Sequence, residues 1–198
     1  MIRDARCSVH RIFRPLPDRG CLESATMDEQ KKQDIDTESA AAVLARPGVR
    51  AVVDALRAAG IDGAVRVLRE SAPTAAAAAR QLGCPVGAIA NSLVFDADGA
   101  ALLVLTSGAH RVDTAALAGR IGVGAIRRAT AGFVRAATGQ AIGGVAPLGH
   151  PAPVRTLVDA ALAEHAVIWA AAGHHRTVFP TDFARLVAAT SGQVVAVD

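Results

Sequence analysis

Two apolar runs, "AIANSLVF" and "ALLVLTSG", flank the tetrapeptide "DADG" between residues 88 and 108. Each run is long enough for a strand, and the tetrapeptide offers the glycine that a tight reversal needs. This pair commits the middle of the chain to a β-hairpin. "AVIWAAAG" and "HRTVF" repeat the pattern around Gly173–His175. "AVRVLR", a short segment near Ile126 and the terminal "QVVAV" read as further strands.

Helical signals lie between these runs. Val49, Val52, Val53 and Leu56 recur at helical spacing after Pro47 and before Gly60. Ser71 or Thr74 can cap "TAAAAARQLG", which Gly83 stops. Asp113 can cap "TAALAGRIG", and "TAGFVRAATG" ends at Gly139. "VRTLVDAALAEH" reads as an amphipathic helix with Val154, Leu157, Val158 and Leu162 on one face. Thr181 is placed to cap "DFARLVAATSG". Hairpins mixed with helices, without regular βαβ alternation, predict an α+β fold. The expected architecture is a mixed, mostly antiparallel sheet or a partly open barrel with flanking helices. Hydrophobic residues make up 52% of the chain and aromatics only 3%, with no Tyr. The core is therefore built from Ala, Val, Leu and Ile.

Residues 1–37 differ from the rest. They have no sustained period, seven acids and no apolar segment of the secretory kind. They are expected to form a disordered extension, or to reflect an over-extended gene start with Met27 as the true initiator. Residues 38–198 are expected to form a single domain. No apolar run reaches membrane-spanning length. Cys7, Cys21 and Cys84 are scattered and odd in number, which suggests neither a zinc knuckle nor a disulfide framework. A reducing cytoplasm is the expected setting.

Lysine occurs only at Lys31 and Lys32, so from Glu38 onward any phosphate contact must come from arginine. The 14 Arg against 11 acids of that part are compatible with nucleic acid without demonstrating it. No GxSxG, HExxH or GxxxxGK[ST] motif is present, and no cofactor or metal is expected. His174 and His175 are adjacent, so on a strand they would face opposite ways and not share an ion.

"TGQAIGGVAPLGH", Thr138 to His150, holds three glycines in its last eight residues and almost no acid, base or nucleophile. Either it is a turn that needs unusual dihedrals, or its backbone is the tool that approaches a ligand.

The chain order "QLGCPVGAIANSLVFDADGAALLVLTSGAHRVD", "TGQAIGGVAPLGH", "VIWAAAGHHRTVFPTDFARLVAATSGQVVAV" resembles the YbaK/EbsC family. That family includes the editing domain of bacterial prolyl-tRNA synthetase and its free-standing relatives. The resemblance runs from about Val49 to the C-terminus. Its most specific motif is a Gly-x-x-x-Pro loop, here Gly143, Gly144, Val145, Ala146 and Pro147. It implies a YbaK-like fold and a trans-acting aminoacyl-tRNA deacylase that uses loop backbone rather than a protein nucleophile. The implied partners are the acceptor end of a tRNA(Pro)-type tRNA carrying a small amino acid, and a synthetase; no membrane is implied. The sequence departs from the family at Asn91, where a lysine is common. Asn91 is then a ligand contact of a divergent subfamily, a structural strand residue, or the mark of a binding module without catalysis.

Around the loop, His150 is a candidate to position water or ribose. Ser92, Ser107, Thr138 and Gly149 are candidate substrate contacts, and Arg111 and Arg135 are candidate replacements for the missing lysine. His174 lies where the family pocket closes. Arg127 and Arg128 are expected to divide between solvent and a surface ion pair.

Overall fold

The computed structural model describes residues 38–61 and 64–198; the expectations for residues 1–37 lie outside the described residues. Glu38–Asp198 forms one compact unit. Its elements in chain order are α1 (Ala40–Leu44), α2 (Pro47–Ala58), β1 (Arg66–Val67), α3 (Ala75–Leu82), β2 (Ile89–Ala97), β3 (Ala100–Ser107) and α4 (Thr114–Ile121). There follow β4 (Ile126–Arg128), α5 (Ala131–Thr138), β5 (Arg155–Asp159), β6 (Ile168–Ala171), β7 (Thr177–Thr181), α6 (Phe183–Thr190) and β8 (Gln193–Val195). Among the described residues no helix is long and apolar enough to cross a membrane.

The helix boundaries follow local chemistry. Thr74, Asp113 and Thr130 accept hydrogen bonds from the first-turn amides of α3, α4 and α5, and Gly83, Gly122 and Gly139 end them in the left-handed region. Thr181 does not cap α6. Asp182 does, accepting from the Arg185 amide at 2.8 Å, because a carboxylate placed one residue later reaches the same donor.

The expected hairpins both form. β2 and β3 pair from Ala90↔Ser107 to Ala97↔Ala100. Asp98 (φ 52°) and Gly99 (φ 88°) make the two-residue turn, as a type I′ connection requires. β6 and β7 pair from Ile168↔Thr181 to Ala171↔Val178. The strands join in one mixed, open sheet in the order β1-β7-β6-β2-β3-β5-β8, with β4 also on β2. The β2–β6, β3–β5 and β5–β8 pairs are parallel.

"VRTLVDAALAEH" is not a helix. It is β5 followed by a 3₁₀ turn at Ala160–Glu164. β5 is flanked on both sides by parallel neighbours, and Leu157 and Val158 are both fully buried, one in each face's core. A strand buried on both faces is a continuous apolar run, and such a run mimics helical spacing.

Strand alternation sorts the core into layers. Leu103, Leu105 and Val158 meet Val52 and Leu56 of α2, Val134 of α5 and Leu186 of α6 on one face. Leu102, Val104 and Leu157 meet Leu117 of α4 on the other. On that second face Ile89 and Trp169 pack with Ala78 and Ala79 of α3.

Candidate active site

β2 has β3 along its whole length on one side, but on the other side its neighbours change. β6 pairs with Ile89 and Ala90, and β4 pairs only from Phe95 to Ala97. Among the described residues no strand lies beside that edge from Asn91 to Val94. The glycine-rich loop fills part of the gap, and two hollows open there.

The larger, about 250 Å³, is walled by α3 (Ala75, Ala78), the Ile89–Leu93 stretch of β2, Trp169, Ile142, Gly143, Val145, and His174 and His175. The smaller, about 150 Å³, lies toward β4 and is lined by Leu93, Phe95, Arg128, Ala129 and Val134. Ser92, Leu93, Ile142, Gly143 and Val145 belong to both. Ile142 stands at the shared wall, 63% exposed. The Ser92 hydroxyl is buried and has no hydrogen-bond partner among the described residues.

The loop is held by its own polar residues. The Thr138 hydroxyl donates to the Val134 carbonyl at 2.8 Å and accepts the Gln140 amide at 3.1 Å. Gln140 is 3% exposed. Its side-chain oxygen accepts from the Ala146 amide at 2.6 Å, and its side-chain nitrogen donates to the Leu148 carbonyl at 3.5 Å. Gly144 donates to the Ala141 carbonyl. The amides of Gly143 and Val145 have no acceptor among the described residues, and both residues line the larger cavity. They are two main-chain donors that no described protein group occupies.

Two glycines of the loop are required for different reasons. Gly143 has φ +87°, a left-handed value, and a methyl group on its Cα would meet nothing closer than His175 Cβ at 4.0 Å. At Gly144 a Cβ would stand 2.8 Å from the His174 backbone and 2.9 Å from the His175 amide nitrogen. Two stretches of main chain cross there.

The crossing partner is the β6–β7 turn. His174 is buried, its amide donating to the Thr177 hydroxyl and its Nδ1 accepting from the Arg176 amide. The two histidine rings do not face opposite ways. They sit in the turn with centroids 3.9 Å apart, because neither residue is in a strand. Burial above all, then His175 and Arg46, pushes the His174 pKa down to about 4. The ring is therefore neutral near pH 7. Arg176, also buried, donates to the carbonyls of Leu68, Glu38 and Arg69 and ties the turn to the segments around it.

Of the residues singled out in the sequence, the structure brings Asn91, Ser92, Gly143, Val145 and His174 to the larger cavity. Gly144 and Ala146 are buried behind the loop and shape it. Pro147, Gly149 and His150 line a different hollow, shared with Ala189–Ser191. The His150 Nε2 bonds the Ala146 carbonyl at 2.9 Å, and burial lowers its pKa. Thr138 is spent at the end of α5. Ser107 is buried, donating its hydroxyl to the Gly87 carbonyl and its amide to Asp159. Arg111 and Arg135 are exposed and line neither hollow. The expected ion pair of Arg127 or Arg128 is not among those formed by the described residues. Sequence reasoning missed Gln140, Trp169, His175 and Arg128. Only Gln140 carried a signal, a lone amide inside an apolar loop.

Residues 69–188 match the family of the aminoacyl-tRNA editing domain. Among solved structures, the chain is similar to "a putative trans-editing enzyme for prolyl tRNA synthetase", at 38% identity and a TM-score of 0.72 over 77% of this chain and 98% of that one. It is also similar to a protein described in work on epitope backbone grafting onto scaffold proteins by computational design, at 35% identity and a TM-score of 0.72 over 77% and 97% of the two chains. A hypothetical protein matches at 25% identity and a TM-score of 0.69 over 74% and 98%. A comparison with curated proteins gives no match. The family match spans most of the sheet and both walls of the cavity, and on that ground the chain belongs to the aminoacyl-tRNA editing domain family, in its YbaK-like form.

Proposed function

We propose that the protein hydrolyses the ester that joins a wrongly attached small amino acid to the 3′ end of a tRNA of the tRNA(Pro) type, acting in trans. The observation that carries this reading is the pair of unused amides, Gly143 and Val145, in the wall of an otherwise largely apolar cavity. Preorganised backbone donors stabilise the charge that develops on an ester carbonyl as water attacks. An aminoacyl ester is already labile, so orientation and charge stabilisation suffice without a protein nucleophile.

The remaining residues have supporting roles. Gln140 holds the Ala146 amide and so fixes the loop against the His174 turn. Neutral His174 adds no positive charge of its own to repel the substrate's α-ammonium. Asn91, exposed at the mouth, and the unpaired Ser92 hydroxyl are contacts for ribose or carbonyl. A cavity of about 250 Å³ is below the roughly 300–1,000 Å³ of ordinary ligand pockets. It suits a small acyl group, with the alanines 72, 75, 78 and 171 setting the limit.

The test is a deacylation panel: tRNA(Pro), tRNA(Ala) and others, charged with small amino acids. Catalysed release from at least one mischarged species, sparing the correct pair, is the expected result. Tight binding of aminoacyl-tRNA without hydrolysis would instead support the binding-module reading, which the uncharged Asn91 favours. Neither binding nor release would overturn both.

A further inference from the structure

The two hollows at the β2 edge differ in one respect that bears on an elongated anionic ligand. Among the described residues no lysine or arginine lines the larger one, and Arg128 is the one that lines the smaller. Arg128 stands directly opposite Phe95 in the β2–β4 pair. Residues opposite one another in an antiparallel pair project from the same face, and so do residues two apart along a strand. Asn91, Leu93, Phe95 and Arg128 thus share one face of the sheet. This strip runs between Ile89, covered by α3, and Ala97, packed with α4 residues. Asn91 and Arg128 are exposed, and Leu93 and Phe95 are half-buried.

Three other arginines near the cavity are engaged within the protein. Arg46 pairs with Glu38 at 2.8 Å. Arg176 holds three carbonyls. Arg66, on β1 two strands beyond β6, lies over the Trp169 ring, 4.8 Å from its centroid.

We propose that Arg128 binds the phosphate on the 5′ side of the terminal nucleoside, and that this contact orients the substrate, with its acyl group in the larger cavity and its polynucleotide leaving across Phe95 and the smaller hollow. The inference rests on the deacylase reading above. A planar guanidinium presents a fork that matches phosphate oxygens. Phe95 beside it offers an aromatic surface to a base, the combination that single-stranded nucleic acid uses. The Ile142–Gly143 wall between the hollows then lies where nucleoside and acyl group meet, next to the free amides that act on the ester.

The experiment measures binding by the full chain of a hydrolysis-resistant amide analogue of aminoacyl-adenosine, with and without a 5′-phosphate. The wild type is expected to bind the phosphorylated analogue tighter, on the order of tenfold, the scale of one charge-assisted contact, and the gain should shrink as salt rises. Arg128→Ala should remove the gain while leaving the unphosphorylated analogue bound as before. Arg128→Lys should keep part of it, and Arg111→Ala and Arg135→Ala should keep all of it. An undiminished gain in Arg128→Ala, a loss in Arg111→Ala or Arg135→Ala, or no gain in the wild type would overturn this inference and leave the deacylase reading standing. A wild type that binds neither analogue would overturn both.

Discussion

Gly144→Ala is the sharpest probe of the loop. A methyl at residue 144 would lie 2.8 Å from the carbonyl carbon and Cα of His174, where ordinary contact begins at 3.4 Å. Both sides are main chain, so no side chain can swing away. The two strands of backbone must part by about 0.6 Å, an overpacking change that costs typically ~1–3 kcal/mol. A value of about 2 kcal/mol lowers the melting temperature of a domain of this size by roughly 4–8 °C. The same displacement moves the Gly143 and Val145 amides away from the ester. Positional errors near 1 Å cost up to about a hundredfold in rate, so deacylation should fall by about one to two orders of magnitude. Gly143→Ala is the control. Its methyl meets nothing within contact distance but holds a positive φ, a strain of about 1–2 kcal/mol that the exposed loop crest can partly relax. Thermal denaturation and single-turnover deacylation measure both variants. If Gly144→Ala melts within a degree of wild type and keeps full activity, the crossing does not position the loop and the reasoning fails.

Gln140→Ala strips the Ala146 amide of its buried acceptor, and is expected to cost about 1–3 kcal/mol in urea unfolding and to lower kcat more than it raises KM; an unchanged kcat would count against its role in the loop. Ala171→Val narrows the larger cavity, so in the deacylation panel it should slow the larger accepted amino acids before the smaller ones, and uniform slowing would refute the size limit. His174 is neutral in the folded protein down to about pH 4 but protonates near its ordinary 6.5 when unfolded. Between those values the unfolded chain binds more protons, so stability falls as pH drops through that window. His174→Gln should flatten this slope in unfolding curves at pH 7 and pH 5 without abolishing it, because burial lowers the His150 pKa as well; equal slopes in variant and wild type would show that His174 is not the group.

What the sequence determined by itself is whatever a few consecutive residues decide. Thr74 with Gly83, Asp113 with Gly122, and the Asp98–Gly99 reversal set helix ends and a hairpin through hydrogen bonds and dihedrals internal to each segment. The glycine loop was legible as a stretch of unusual dihedrals for the same reason, and Gly143 and Gly149 do take positive φ. The tertiary structure decided the rest. Val154 to Leu162 follow a spacing that fits a helix, and only burial between β3 and β8 makes that stretch a strand. The cavity exists because β6 and β4 pair with opposite ends of β2 and leave Asn91–Val94 uncovered. Those partners lie about 40 residues apart in the chain, beyond the reach of any local pattern. The same nonlocal pairing sends His150 to the back of the loop and brings Arg128 to the gap. A side chain's chemistry is written in its own residue, but which cavity it enters depends on strands whose registers are set by the whole core.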